Sequence, residues 1–164
     1  MSYICIVKQI TNTLKQKIMG TRSTYRIIEQ YKDDNNKVTN EPLVLVYRQY
    51  DGYPEGHPMD TAQWLASGKM VNGIGAGETE LVFNGAGCLA AQLIERMKDG
   101  AGGTYIHSLK SRGKCWEDYL YDIIITPDNQ IEYVCYENYG TKPKEVFRGT
   151  PEQFVEKYTV VVNN

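Results

Sequence analysis

Residues 118–136, DYLYDIIITPDNQIEYVCY, are two runs rich in β-branched and aromatic side chains on either side of Pro127-Asp128-Asn129. Such runs suit pleated strands, and the triplet between them brings the fixed φ and local side-chain hydrogen bonds of a tight turn. The stretch therefore predicts an antiparallel hairpin, residues 118–126 with 130–136, which sets the fold class. Working outward, residues 24–31 (TYRIIEQY) and 43–50 (LVLVYRQY) read as a second hairpin with a long polar connection, DDNNKVTNEP. Residues 81–83 and 104–109 add further short strands.

Helices are few. Over 88–98, Leu89, Ala90, Leu93, Ile94 and Met97 form one stripe at helical spacing with Glu95, Arg96 and Lys98 outside it, and Gly100 closes the segment. Asp60 is placed to cap a short helix through Trp64 and Leu65 that Gly68 ends. Thr150-Pro151-Glu152-Gln153 is a capping box with proline at the first helical position. With no βαβ alternation, the expectation is an α+β domain over residues 19–164: a mainly antiparallel sheet of about five strands and two or three short helices. Residues 1–18 are expected to form a peripheral arm, and VNGIGAGETELVFNGAG an irregular glycine-rich loop.

Composition narrows the function. A chain of 164 residues with 18 basic and 20 acidic side chains carries a formal charge of only −2, too little to gather nucleic acid or an anionic membrane. Four scattered cysteines without a CxxC pair, and two histidines, suggest neither a zinc cage nor a disulfide framework, and fit a reducing cytoplasm. No run approaches a membrane span. No metal or cofactor is expected. Thirteen tyrosines against three phenylalanines fit half-exposed strand faces, with ligand platforms as the sharper reading.

The chain holds no G-x-x-x-x-G-K-[ST], G-x-S-x-G or H-E-x-x-H motif, and His57 and His107 do not form paired H-x-S/T repeats. Asn84-Gly85-Ala86-Gly87-Cys88 opens the amphipathic helix, where free amides and the helix dipole could meet an anion, although a dinucleotide fold would need flanking parallel strands that the pattern lacks. Cys88 reads as an inert cysteine before it reads as a nucleophile. Lys110-Ser111-Arg112-Gly113-Lys114, beside Trp116, reads as a solvated hairpin tip, with a phosphate-contacting loop as the alternative.

Tyr47-Arg48-Gln49-Tyr50-Asp51-Gly52-Tyr53-Pro54-Glu55-Gly56-His57 is richer in tyrosine, charge and glycine than a turn requires. With Met19-Gly20-Thr21-Arg22-Ser23, it makes the chain resemble a group of small uncharacterised phage and prophage proteins. These open with methionine, a small residue and T-R-S, and later carry a strand ending in D-G-Y-P. The resemblance covers Met19 to about Gly103, with Pro58 where glycine is expected and an added 18-residue leader. It implies a phage-encoded protein, of a kind that often antagonises host defence.

Antiparallel pairing brings Thr21, Arg22 and Ser23 to the same end as Gln49, Tyr50 and Asp51. Arg22 is then the expected anion contact, Gln49 and Asp51 the polar readers, and Tyr50 and Tyr53 the stacking surface. His57 and Asn84, Gly85, Gly87 and Cys88 complete the expected site. The structural counterpart is an Arg22–Asp51 ion pair that pins the strand ends. The leading expectation is a binding protein that sequesters a nucleotide-derived immune signal, a cyclic oligonucleotide or ADP-ribose derivative, without catalysis. The alternatives are an enzyme using Asp51 and His57 or Cys88, and a module that inhibits a host defence protein. A homo-oligomer is compatible with each.

Overall fold

The structure is a computed structural model and describes residues 20–73 and 80–159. The expected arm and the middle of the glycine-rich loop lie outside the described residues. The described residues form eight strands: β1 (Ser23–Lys32), β2 (Val38–Arg48), β3 (Lys69–Val71), β4 (Val82–Asn84), β5 (Thr104–His107), β6 (Tyr119–Ile125), β7 (Ile131–Glu137) and β8 (Lys144–Gly149). Three α-helices join them among the described residues: α1 (His57–Ser67), α2 (Gly85–Met97) and α3 (Pro151–Tyr158). Six strands form one sheet in the order β5-β2-β1-β6-β7-β8, and β3 pairs with β4 in a separate parallel ribbon.

The α+β class stands, but the sheet has six strands rather than five and is mixed, because β1 and β6 run parallel at its centre. Every residue of β6 is buried. A strand covered on both faces reads as a continuous apolar run, which is why DIII gave no alternation. The β6–β7 hairpin forms as expected, with Asn129 at φ 58° closing the turn. The long connection after β1 does not: β2 begins at Val38, and only a short turn separates it from β1. Pro42, which has no amide to donate, is tolerated where the β1–β2 register shifts between Ile27 and Ile28.

Helix starts also move. His57 opens α1 behind Gly56 with proline in its first turn, so Asp60 lies inside the helix and is not its cap. Helix α2 starts at Gly85, three residues before the expected Cys88. The capping box of α3 is complete, Thr150 Oγ1 accepting from Gln153 N and Gln153 Oε1 from Thr150 N.

The helices cover one face of the sheet, where Tyr25, Ile27, Val46, Tyr121, Ile123 and Tyr133 meet Leu65, Leu89, Leu93 and Phe154. Tyr25, Tyr121 and Tyr133, each fully buried, stack across three strands with centroids 5.1 and 5.7 Å apart. Half-exposed strands account for many of the other tyrosines, but not for these. A buried hydroxyl needs a partner. Tyr121 donates to the Gly52 carbonyl at 2.8 Å, Tyr133 to the Pro58 carbonyl at 3.4 Å, and Tyr25 meets His57 Nδ1 at 3.3 Å. The connection from Asp51 to Pro58 is therefore fastened to the core by three hydroxyls.

Gly52 sits where this connection crosses the start of β1, its amide bonded to the Thr21 carbonyl at 2.9 Å. A Cβ at Gly52 would lie 2.6 Å from Ser23 Cβ and 3.0 Å from the Arg22 carbonyl carbon. Gly52→Ala should thus cost about 1–3 kcal/mol, as overpacking does, read as a lower denaturant midpoint. An unchanged midpoint would mean the two backbones do not approach this closely.

Candidate functional site

Residues alternating to the other face of β1 and β2 look away from the helices. Here Tyr47 pairs with Tyr105 of β5, and Leu45 with His107. Much of this face is crossed by the connection from Ser108 to Asp118, which begins as a 3-10 turn, Leu109–Ser111. The basic KSRGK segment is thus no solvated hairpin tip. Arg112 turns inward to bond Asp122 Oδ1 at 2.8 Å and places its guanidinium 5.1 Å from the Tyr136 ring centroid.

Glu117 organises the end of that connection. Its buried carboxylate accepts from the amides of Gly113 at 2.7 Å and Cys115 at 2.6 Å, and from Thr24 Oγ1 at 3.4 Å. Curling the backbone around this carboxylate puts Trp116 in the left-handed region, φ 59°, with its side chain outward and the residue 82% exposed. A bulky residue held there is strained and persists only because its surroundings fix it.

Tyr47, Tyr105, His107, Lys114, Cys115 and Trp116 together line an open cavity of about 400 Å³. That volume suits a small organic ligand. The His107 ring stacks on Tyr47 with centroids 4.9 Å apart and planes within 10°, and Tyr105 tilts against Tyr47 at 6.2 Å. His107 Nδ1 lies 3.1 Å from Cys115 Sγ, which also lies 3.3 Å from the Ser111 carbonyl. Burial, and then the Glu117 carboxylate, push the Cys115 thiol pKa up. Tyr47's hydroxyl pKa is raised by burial, with Arg22 pulling the other way. Thr24 pairs with Tyr47, so Arg22, two residues earlier, immediately precedes the strand beside this cavity.

The expected site residues divide into three groups. Arg22, Gln49, Tyr50 and Asp51 do gather at one end of the sheet: Ser23 pairs with Arg48, and Gln49 N bonds the Gly103 carbonyl. The Arg22 side chain makes no ion pair or hydrogen bond among the described residues, and the same holds for the Asp51 carboxylate, so the pinning pair is not formed. Tyr50 is exposed with its ring over Gly20, and Asp51 takes φ 55°.

Thr21, Ser23, Tyr53 and His57 turn toward the core. Thr21 and Ser23 are buried, and Tyr53 packs on the edge of the core. His57 turns to Tyr25 and to Thr61 Oγ1, 3.4 Å away, and not to the Asp51 carboxylate.

Asn84, Gly85, Gly87 and Cys88 lie elsewhere. Arg48 Nη1 bonds the Met97 carbonyl at 2.7 Å, which fixes the C-terminal end of α2 near the strand ends. The helix start is therefore about 18 Å away along a 1.5 Å rise per residue. The structure does not bring these four residues to the Arg22 group.

Sequence reasoning missed Tyr47, Tyr105, His107 and Cys115 as one constellation. The available signal was the crowding of His107, the basic turn, Cys115 and Trp116 within ten positions. No group of three or more His, Cys, Asp or Glu residues placed to hold a metal occurs among the described residues. None of their helices is long and apolar enough to cross a membrane. Comparison with protein-family models, with curated proteins and with solved structures finds no match in any of the three.

Proposed function

We propose that this chain is a binding protein for a small planar ligand bearing phosphate, a nucleotide-derived molecule, which it holds without altering. The observation that carries this reading is the cavity in which Tyr47, Tyr105 and Trp116 offer aromatic surface beside Lys114, with Arg22 just before the strand that pairs with Tyr47. Every base has a π-face, so aromatic surface with adjacent cations suits nucleotides regardless of sequence. Joined to the resemblance to phage proteins, it makes the chain a phage-encoded antagonist that sequesters a cyclic oligonucleotide or ADP-ribose signal in the host cytoplasm. Asp51 and Gln49 are second-rank contacts in this reading, at the strand ends next to Arg22.

The test is a titration of the protein with cyclic oligonucleotides and ADP-ribose, followed by tryptophan emission, with mass spectrometry of whatever is released on denaturation. Trp116 is the reporter. Trp64, the second tryptophan, packs edge-on against Phe83. One panel member should quench or shift the emission and be recovered intact. Trp116→Ala should weaken its binding about tenfold to a hundredfold, the worth of one stacking partner. No binding by any member, or equal binding by the variant measured calorimetrically, would remove the cavity from this role.

A second reading is favoured by the sheet edge. Among the described residues, strand β5 has no neighbour on its outer side, and it exposes Tyr105 and Ile106, with Leu109 just beyond. An unpaired apolar edge can accept a strand from another protein. A host protein that co-purifies with no small molecule would favour a module that blocks a defence factor.

A further inference from the structure

The geometry points to Cys115 as a nucleophile served by His107, able to take an acyl group from an aryl ester or thioester whose planar leaving group rests in the aromatic cavity. A catalytic cysteine needs a base in hydrogen-bond reach and an open approach for substrate. His107 Nδ1 at 3.1 Å meets the first requirement, and the cavity, which both residues line, meets the second.

The pair is held from both sides. Stacking on Tyr47 fixes the imidazole plane, and the bond from Cys115 N to the Glu117 carboxylate fixes the backbone of the thiol. The remaining cysteines among the described residues have nothing comparable. Cys135 is buried, its thiol pushed up to about 12, and Cys88 has no histidine beside it. The Cys115 thiol is protonated at rest, so its proton must leave as it attacks. The pair therefore works by general-base assistance and not through a standing thiolate.

The step balances without a co-reactant. Cys115 Sγ bonds to the acyl carbon while its proton passes to His107 Nδ1. The carbon–oxygen or carbon–sulfur bond to the leaving group then breaks, and that group departs with the electron pair and the proton from His107. Lys114, next in the chain and lining the same cavity, is the cation nearest in sequence to the charge on the carbonyl oxygen. The amides of Gly113 and Cys115 are already committed to Glu117 and give that oxygen no help. Acyl transfer to sulfur should therefore be stoichiometric, with slow hydrolysis afterwards. A nucleotide offers no such carbon centre and would be bound unchanged, so this activity does not depend on the nucleotide reading.

The experiment uses p-nitrophenyl acetate with the full chain. Nitrophenolate release and site-resolved mass spectrometry of all four cysteines are followed together. The expected result is a burst of one acetyl per chain on Cys115, at least about tenfold faster than N-acetylcysteine at the same pH, a conservative fraction of the gain from a positioned base. His107→Asn should reduce that rate to the free-thiol level while circular dichroism stays unchanged. Acetylation spread over several cysteines, or a Cys115 rate equal to that of N-acetylcysteine, would overturn the proposal. So would a folded His107→Asn protein with an unaltered rate. Because the comparison among cysteines is made in the unsubstituted protein, it stands even where a variant fails to fold.

Discussion

Asp122→Ala should destabilise the protein by about 3–5 kcal/mol and lower the melting temperature by roughly 10 °C or more, the range for a buried charge network that loses one partner. Asp122 is buried on β6, directly opposite Arg26 in the parallel β1–β6 register. Arg26 approaches it as a fork, Nε to Oδ1 at 3.0 Å and Nη2 to Oδ2 at 2.7 Å, and Arg112 adds Nη2 to Oδ1 at 2.8 Å. One carboxylate thus serves two guanidiniums. Arg26 retains 30% side-chain exposure and can turn to water, whereas Arg112 has 14% and its pKa is held down by burial. The cost falls mainly on Arg112. Because Arg112 anchors the segment that ends in Cys115 and Trp116, the variant should also shift tryptophan emission before it unfolds. Asp122→Asn, which keeps the shape and some bonds, should cost less. A loss under about 1 kcal/mol for Asp122→Ala would show that the two arginines are better solvated than described.

The second large effect is acid sensitivity from His57. Burial first, then the positive charges of Arg48 and Arg96, lower its pKa from 6.5 to about 3. Its position at the start of α1 adds the unfavourable end of the helix dipole. The sign follows from proton counting. Below pH 6.5 the unfolded chain binds a proton at this histidine, while the folded protein binds none until about pH 3. This contribution to stability is therefore complete above pH 6.5 and is lost progressively as the pH falls toward 3. At about 1.4 kcal/mol per pH unit, roughly 2 kcal/mol should be gone by about pH 5, above the range where carboxylates dominate. Urea unfolding at pH 7.5 and pH 5 measures the difference. His57→Gln should remove most of it, and an equal loss in the variant would assign the acid sensitivity to other groups.

Elements governed by their own neighbours were legible in the sequence. The β6–β7 turn is written in Pro127-Asp128-Asn129, the start of α3 in its capping box, and the buried face of α2 in the spacing of Leu89, Leu93 and Met97. What escaped depends on partners far along the chain. Nothing near β1 announces that it will lie parallel to β6, with Tyr25 opposite Tyr121. Strands β3 and β8 are too short or too polar to stand out, and Pro42 concealed the first half of β2.

The candidate site shows the same division. The meeting of Arg22 with the end of β2 followed from simple pairing. The contact of His107 with Cys115 did not, because it depends on a 3-10 turn and on a carboxylate that curls the backbone. The contact of His57 with Tyr25, 32 positions earlier, is likewise invisible in the local sequence.

The connection from Asp51 to Pro58 has the composition of a dispensable surface turn, yet three strands hold it by their tyrosine hydroxyls. The turn between β1 and β2 is the reverse case. Asp33 accepts from Asn35 N and Lys37 N, and its own amide bonds the Lys37 carbonyl, so the turn is closed on itself and exposed. An affinity tag, a fluorophore or an inserted domain belongs there, between Asp34 and Lys37, where the rest of the fold would not register it. Placed at Tyr53 or Glu55, the same graft would pull on the centre of the sheet.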